Sequence, residues 1–339
     1  MRDICSDNDT QRIPISCVTA PCRTFNVSQF LTTENEFIRR LTTRFPVRPP
    51  VEVGIGDDGA VLLAEDRRVV VVTDLLLDGV HFDLTETSPY LAGRKAIAVN
   101  LSDLAAMACT PTAAFVSIAV PKTMASSATQ FLDELYSGIE ELTQQYEFTL
   151  AGGDTNSWDG PFAINVCLTG QPIGMHPILR SSAQPGDVLF VTGPLGGSLV
   201  RGRHLTFSPR LEIAKWLTKN ARVHAMMDIS DGLSIDLHRM MEASGTSAIL
   251  TEAAIPIHSD VEASMPFGKR LAAALSDGED FELLLSVPRT IAVDLAAASR
   301  NAGWQFFEIG EVTAGSCSFI RDGKGTLLPL KLSGWQHAM

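Results

Sequence analysis

The chain has 339 residues, of which 45% are hydrophobic and 19% are charged. This length and composition predict a folded protein of about two domains and exclude a chain that is disordered over most of its length. The formal net charge of -12 argues against non-specific attraction to nucleic acid or to an anionic membrane surface, and it requires cations at any site that binds a phosphate compound.

Residues 1–27 are polar, without an apolar signal core or a regular period, and we expect them to form a disordered leader. Six cysteines occur without a CxxC pair or zinc-finger spacing, as is typical of reduced, buried thiols. The most apolar stretch, Ala96 to Val120, is interrupted by Asn100, Asp103 and Pro111, so we predict no membrane span and a cytoplasmic protein.

The hydrophobic pattern predicts alternating helices and strands. The predicted helices are Asn26–Phe45, Ser88–Cys109, Ser126–Tyr146, Pro209–Leu217, Asp231–Ala243 and Ile291–Ala302. The predicted strands are Val69–Thr73, Ala113–Val120, Thr149–Leu150, Phe162–Gly170, Asp187–Thr192, Phe281–Val287 and Phe306–Val312. The pattern restarts after Gln171–His176, which predicts two α/β or α+β domains with a boundary near Gln171–Ser181.

The segment Gly54-Ile-Gly-Asp-Asp-Gly59 matches the GxGxxG pattern of dinucleotide sites. No helix is predicted after it, and its two aspartates would repel a pyrophosphate, so the Rossmann interpretation fails. Two hypotheses are left. The segment is either a plain turn between strands or a glycine-flexible loop whose carboxylates bind a hard cation such as magnesium.

Asp103 is the only charged residue between Ala96 and Val120. A carboxylate in a buried stretch needs a cation or strong hydrogen-bond donors, because its desolvation costs several kcal/mol. Asn100 lies three residues earlier, so both side chains share a helix face and can point into one polar pocket. The alternative is a structural carboxylate that caps a neighbouring helix.

Three further acidic segments follow apolar residues. They are Ala151-Gly-Gly-Asp-Thr155, Asp228-Ile-Ser-Asp-Gly232 and Gly278-Glu-Asp-Phe-Glu282. Taken singly, they are open to other interpretations, namely a turn, a helix N-cap at Ser230 or Asp231, and a charged strand entry. Taken with Asp58 and Asp103, they favour one shared metal site. GxxxxGK[ST], HExxH, HRD and GxSxG are absent, which disfavours phosphate binding by a P-loop lysine.

The ordered motifs resemble those of the thiamine-monophosphate kinase family. This family belongs to a superfamily that also contains aminoimidazole ribonucleotide synthetase, selenophosphate synthetase and a hydrogenase maturation protein. The resemblance runs from about Phe30 to Trp335 and rests on GIGDDGAVL, VVTDLLLDGVHF, KAIAVNLSDLAAM, LAGGDT, RSSAQPGDVLFVTG, DISDGLSIDL, GEDFELL and the closing GW.

The resemblance implies an aminoimidazole ribonucleotide synthetase-like fold. An N-terminal α/β domain over residues 28–172 would bind ATP and magnesium and dimerise through its sheet, and residues 173–339 would form a C-terminal α+β domain. The implied activity is ATP-dependent phosphorylation of thiamine monophosphate to thiamine diphosphate, assisted by several Mg²⁺ ions. The acceptor is a phosphate oxygen that is already anionic, so no general base and no catalytic side chain of that kind is expected.

The resemblance also implies a role for individual residues. The implied metal ligands are Asp58, Thr73, Asp74, Asp103, Asp154, Asp228 and Asp231. The implied ATP contacts are Tyr136, Gly153, Asp154, Arg180 and Ser230. The implied substrate contacts are His81, Glu279 and Trp335, where Trp335 would stack on the cationic thiamine rings; a structural histidine at 81 and a core-closing tryptophan at 335 are the alternatives.

Three features depart from the family pattern. Val72 stands where the family often has a serine, the segment 193–210 looks shorter than the usual helix, and residues 1–27 have no counterpart. Two other functions stay open at this stage, namely another ATP-using synthetase of the superfamily and a non-catalytic sensor of nucleotide or magnesium.

Overall fold

The computed structural model describes residues 39, 42, 43, 46–124 and 127–335. The helices with described bounds are α1 (Pro89–Ala106), α2 (Ala128–Gln145), α3 (Arg203–Thr206), α4 (Leu211–Asn220), α5 (Leu233–Ser244), α6 (Phe267–Ser276) and α7 (Arg289–Asn301). The strands of the N-terminal half are β1 (Val51–Val53), β2 (Ala60–Ala64), β3 (Arg67–Leu77), β4 (Cys109–Pro121), β5 (Thr149–Trp158) and β6 (Ala163–Pro172). Those of the C-terminal half are β7 (Val188–Val191), β8 (Ala225–Asp228), β9 (Ser247–Thr251), β10 (Leu283–Val287), β11 (Phe307–Thr313), β12 (Phe319–Arg321) and β13 (Leu327–Pro329).

The strands form two mixed sheets, one in each half of the chain. The first has the order β1-β2-β3-β6-β4-β5, and the second has the order β13-β12-β9-β11-β7-β10-β8. In the first sheet only β4 and β5 are parallel, and in the second only β9 and β12 are. Within the described part of the chain, no helix combines the length and the apolar character that a membrane crossing needs.

Helix α1 joins the two halves. Ser88 Oγ accepts a hydrogen bond from the backbone NH of Leu91 at 3.3 Å, and Pro89 takes the first helical position, as is common at helix N-termini. The helix is buried around most of its circumference because it packs on β3, β6 and α2 and also on β8, α3 and α4. Ile97 and Phe190 consequently belong to one continuous hydrophobic core.

Helices cover one face of the first sheet, and none of the described elements covers the other face. Along β4 and β6 buried residues alternate with accessible ones, as expected when helices cover only one face. We call the uncovered side the outer face. Leu75 and Phe115 lie on it, 54% and 44% exposed, and every residue of β5 at its edge is exposed.

The structure corrects two of the predicted elements. The predicted strand Val69–Thr73 continues to Leu77 as β3, so Asp74 lies inside a strand instead of at its end. The predicted turn at Ala151–Thr155 is also strand, because β4 supplies parallel hydrogen-bonding partners to β5 throughout. The leader 1–27 and most of the predicted helix Asn26–Phe45 lie outside the described residues, except for Arg39, Thr42 and Thr43, which are helical.

Candidate active site

Four aspartates from distant segments meet below the first sheet, and we call them the carboxylate cluster: Asp58, Asp74, Asp103 and Asp228. One oxygen from each of Asp58, Asp103 and Asp228 lies within 4.8 Å of the others. Asp74 on β3 hydrogen-bonds with Asp103 on α1. The grouping arises because α1 crosses under β3 and contacts β8, at whose end Asp228 lies. Asp103 therefore faces other carboxylates, as a metal ligand would, and does not cap a helix.

The cluster carries unfavourable negative charge. Burial, followed by the charges of Asp74 and Asp228, raises the pKa of Asp103 well above its ordinary value. Burial likewise raises the pKa of Asp74 to about 6. Ser102 Oγ donates to Asp228 Oδ2 at 2.6 Å, whereas the buried Asp58 Oδ2 has no hydrogen-bond partner among the described residues. A set of oxygen donors in this state suits a hard divalent cation.

Two arginines contact the aspartates from the C-terminal half. The Arg180 guanidinium donates a short hydrogen bond to Asp58, and its Nε lies 3.8 Å from Asp57 Oδ1. Arg239 contacts Asp231 closely, and its Nη1 lies 2.9 Å from Asp236 Oδ1. These guanidinium groups offset part of the carboxylate charge.

The loop that carries Ser230 and Asp231 is fixed by Asp236. The Asp236 carboxylate accepts hydrogen bonds from the backbone NH groups of Asp231 at 3.0 Å and Gly232 at 3.1 Å. Helix α5 begins at Leu233 and has no side-chain N-cap. The N-cap alternative for Ser230 or Asp231 is therefore wrong, and Asp231 pairs with Arg239 instead.

Two cavities lie on either side of the cluster. The smaller, about 370 Å³, is lined by His81, Glu279 and Trp335 together with Asp74, Lys95, Ser230 and Asp231. The larger, about 800 Å³, is lined by Asp57, Asp58, Arg180 and Arg239. Thr73 lines both. The geometry thus provides two compartments of ligand size with acidic groups between them.

The structure also shows where His81 and Trp335 lie, for which the alternatives were a structural histidine and a core-closing tryptophan. His81 Nδ1 accepts a hydrogen bond from the backbone NH of Leu77 at 3.0 Å, so its ring is held in place while it borders the smaller cavity. Trp335 is 44% exposed and borders the same cavity, so it does not close the core. Its backbone NH donates to the Asp231 carbonyl at 2.9 Å.

Three of the implied site residues lie neither at these cavities nor in the carboxylate cluster within one chain. Tyr136 on α2 packs against the hydrophobic core, and it lines neither cavity, as is also true of Gly153 and Asp154. Asp154 lies on β5, which β6 and β4 separate from β3, the strand of Asp74. The two strands are therefore three strand spacings apart, or roughly 14 Å across the sheet. The register places the Asp154 side chain on the outer face with Leu75, opposite to Asp74.

Comparisons with known proteins agree on one family. Models described as AIR synthase related protein match the chain twice, the N-terminal domain at residues 56–172 and the C-terminal domain at residues 184–322. A curated thiamine-monophosphate kinase of Rhodopirellula baltica is 43% identical over 80% of this chain and 86% of its own. That of Bacillus subtilis is 35% identical over 74% and 82%. The chain belongs to the thiamine-monophosphate kinase family.

Solved structures place the chain in the same family. One described as "AaThiL complexed with AMPPCP and TMP" has a TM-score of 0.75 and 26% identity, and the match covers 93% of this chain and all (100%) of that one. A thiamine-monophosphate kinase from Stenotrophomonas maltophilia K279a has a TM-score of 0.68 and 28% identity, covering 88% and 98%. The predicted family and its two-part mixed fold are confirmed.

Three residues of this kinase family member were missed by sequence reasoning: Lys95, Asp236 and Arg239. Each acts on another side chain or backbone group of the site through a contact that folding creates. Lys95 had a visible signal, because it stands in the apolar helix one residue before the stretch that begins at Ala96. Its side chain is fully buried, which a lysine without a partner would not tolerate.

We expect the metal-free protein to lose stability as the pH rises through about 6 to 7. Burial raises the pKa of Asp57 and Asp74 to about 6, and that of Asp236 and Asp280 to about 7. The folded state then binds more protons than the unfolded state, so this stabilisation is complete below the ordinary pKa of about 4 and is lost above the raised values.

Melting curves at several pH values in the presence of a chelator measure this effect. The melting temperature should fall by at least about 3 °C between pH 5.5 and 8, the shift produced by roughly 1 kcal/mol. Excess Mg²⁺ should flatten the dependence, because metal binding favours ionised carboxylates. A melting temperature that rises over this range without metal would contradict the electrostatic account.

Proposed function

We propose that this chain transfers the γ-phosphoryl group of ATP to thiamine monophosphate and forms ADP and thiamine diphosphate. The observation that carries the proposal is the carboxylate cluster between the two cavities. Asp58 borders the cavity with Arg180, and Asp74 borders the cavity with Glu279 and Trp335. The names of the similar kinases, and the similar structure with AMPPCP and TMP, support the assignment of both substrates.

Magnesium is the proposed metal of the cluster. Asp58, Asp103 and Asp228 would bind Mg²⁺ together. Asp74, Asp231 and Thr73 would bind Mg²⁺ on the side of the smaller cavity. The unpartnered Asp58 Oδ2 and the raised pKa values of the neighbouring carboxyl groups support this assignment. Bound Mg²⁺ would neutralise the charge of the phosphates during an in-line transfer.

ATP is placed in the larger cavity, where it meets Arg180. A guanidinium group binds phosphate oxygens through two parallel hydrogen bonds, and Arg180 donates from Nη2 to Asp58 in this structure. We propose that Arg180 turns from this carboxylate to the phosphates of ATP. Ser230 would contact the nucleotide from the smaller-cavity side, and Tyr136 and Gly153 would do so only if the nucleotide extends beyond the cavity.

Thiamine monophosphate is placed in the smaller cavity. Its cationic ring would face Glu279 and the indole of Trp335, and its phosphate would point toward Asp74 and Asp231 across bound metal. His81, whose Nδ1 accepts from the backbone NH of Leu77, would contact it from the cavity wall. The attacking phosphate oxygen is already anionic, so positioning and charge neutralisation are the tasks left to the protein.

Trp335→Ala should raise the KM for thiamine monophosphate by about 2-fold to 30-fold, equivalent to the 0.5 to 2 kcal/mol of a cation–π contact. Trp335→Phe retains an aromatic face and should have a smaller effect. Steady-state kinetics with ATP held at saturation measure both variants. An unchanged KM in Trp335→Ala would show that the indole does not contact the acceptor.

We also propose a cytoplasmic homodimer that pairs the outer faces of two first sheets, with the domain boundary after residue 172 and with no nucleic-acid or membrane partner. The exposed edge strand β5 and the exposed Leu75 and Phe115 are features that a second copy would cover. Thr73 and Asp154 share this face by register. Asp154 of one copy is therefore proposed to serve the metal site of the other.

Phe115→Glu should convert the dimer to monomers and remove most of the activity. The reason is that a charge on the outer face opposes burial against a second copy. Light scattering coupled to size-exclusion chromatography measures the mass, and Met175→Glu is the matched control, since Met175 is 86% exposed and lies outside the strands. A Phe115→Glu protein that is still dimeric would refute the proposed interface.

The decisive experiment combines purified protein, ATP, Mg²⁺ and thiamine monophosphate. ADP and thiamine diphosphate should appear in equal amounts, measured by chromatography. ATP binding in a calorimeter without product would overturn the kinase proposal and indicate a nucleotide sensor. ATP consumption with a different acceptor, but none with thiamine monophosphate, would indicate another synthetase of the superfamily.

A further inference from the structure

Lys95 forms a buried ion pair at the wall of the smaller cavity. Its side chain is 0% exposed, and its Nζ donates to Glu279 Oε2 at 2.5 Å and to the His81 carbonyl at 2.7 Å. Burial lowers the pKa of Lys95, and the Glu279 charge acts in the opposite direction. A buried ammonium group is costly unless its partners are well placed, so this geometry requires both acceptors.

The partner of Lys95 is held in an unusual backbone conformation. Glu279 has a φ of +53°, and Gly278 and Phe281 beside it have φ values of +72° and +51°. The Glu279 backbone NH donates to the Ser230 carbonyl at 2.6 Å. Left-handed backbone at non-glycine residues is strained and is concentrated at functional sites. The segment thus sets the direction of the Glu279 side chain, which is 19% exposed at the cavity.

The pair joins the two halves of the chain. Lys95 comes from α1, and Glu279 comes from the segment before β10. Among the residues that line the smaller cavity, Lys95 is the one lysine or arginine, and the carboxylates there include Asp74, Asp231 and Asp277. Lys95 binds Glu279 through Oε2 only, so the second oxygen, Oε1, is left to meet a ligand.

We propose that Lys95 is a positioning residue that determines affinity for the acceptor by keeping Glu279 ionised and its Oε1 aimed at the cationic ring system of thiamine monophosphate. The inference rests on the proposed function. Lys95 also fixes the backbone at His81, so two of the three proposed acceptor contacts, Glu279 and His81, depend on one ammonium group. Its action is on the acceptor side, away from the ATP cavity, which it does not line.

A double-mutant cycle tests this role. Lys95→Met, Glu279→Gln and the double variant are compared with the wild type for kcat, for the KM of each substrate and for calorimetric binding of thiamine monophosphate without ATP. Each single change should raise the KM for thiamine monophosphate by about 10-fold to 100-fold, since charge-assisted hydrogen bonds are lost. The KM for ATP should change by less than about 2-fold, and the double variant should be no worse than Glu279→Gln because the effects are coupled.

The outcomes separate the inference from the function on which it rests. If Lys95→Met does not fold, the double variant, which leaves no buried charge unpaired, still decides by comparison with Glu279→Gln. Additive losses, or equal losses in the KM of both substrates, would overturn the positioning role while wild-type turnover upholds the kinase function. A wild type that leaves thiamine monophosphate unchanged would overturn both.

Discussion

Asp103→Asn should lower kcat by about 10³-fold or more, because a cluster that holds Mg²⁺ less well loses several kcal/mol of transition-state stabilisation. Asp103 contacts Asp74 and lies with Asp58 and Asp228, so it reaches the groups on both cavities. The change keeps the size of the side chain and removes only its charge. Turnover with thiamine monophosphate, measured at saturating ATP and Mg²⁺, gives the effect.

The same variant should melt at or above the temperature of the wild type when metal is absent. Asparagine removes one of several carboxylates whose mutual repulsion and burial raise their pKa values, and hence relieves strain. Asp133→Asn, at an exposed position on α2, is the matched control with unchanged turnover. A strongly lowered melting temperature with unchanged specific activity would make Asp103 a structural residue.

Arg180→Ala should lower kcat/KM for ATP by about 10²-fold to 10³-fold, because a guanidinium group that stabilises transferring phosphates is lost. It should also destabilise the metal-free protein by about 3 kcal/mol, because the buried Asp57 and Asp58 lose their cation. Excess Mg²⁺ binds the folded state only and should recover much of that loss. Melting with a chelator and with Mg²⁺ separates the two roles.

Arg180→Lys is the informative comparison. Lysine retains the charge without the planar fork, so it should preserve most of the metal-free stability while still lowering kcat/KM for ATP. If Arg180→Ala melts at the wild-type temperature both with and without Mg²⁺, the contact with Asp58 contributes no stability. Equal kinetics for the lysine variant and the wild type would exclude bidentate phosphate binding.

The grouping of the aspartates was predictable, and the positions of several of them were not. An unpaired charge in the apolar run around Asp103 required a polar partner, and glycine-bearing acidic segments indicated a shared site. Periodicity did not show that β3 continues past Asp74, because Leu75 and Leu77 lie on the outer face, whose exposure depends on the tertiary arrangement. Nor could any local pattern pair Lys95 with Glu279, 184 residues away.

Gly153 was predicted to contact nucleotide because it belongs to a family motif, but strand packing alone is enough to require glycine at this position. A Cβ atom at this position would lie 1.8 Å from the Val116 carbonyl oxygen, so the close approach of β5 to β4 alone demands glycine. The prediction that Gly153 contacts nucleotide is still untested. Its neighbour Asp154 is exposed on the outer face, so packing within one chain does not require an aspartate there. In the proposed dimer, Asp154 would have a role at the metal site of the second copy.

Helix α1 carries both the proposed acceptor-positioning residue, Lys95, and a proposed metal ligand, Asp103. Lys95 and Asp103 lie eight residues apart on one helix, which corresponds to about 12 Å along the helix axis. In the proposed function, the distance from the end of the pocket that holds the thiamine ring to the reacting phosphate is therefore set by the rise of this hydrogen-bonded helix. The enzyme should therefore select its acceptor by length. Thiamine should be too short to reach the carboxylate cluster, and thiamine diphosphate should be too long to leave room for the incoming phosphoryl group.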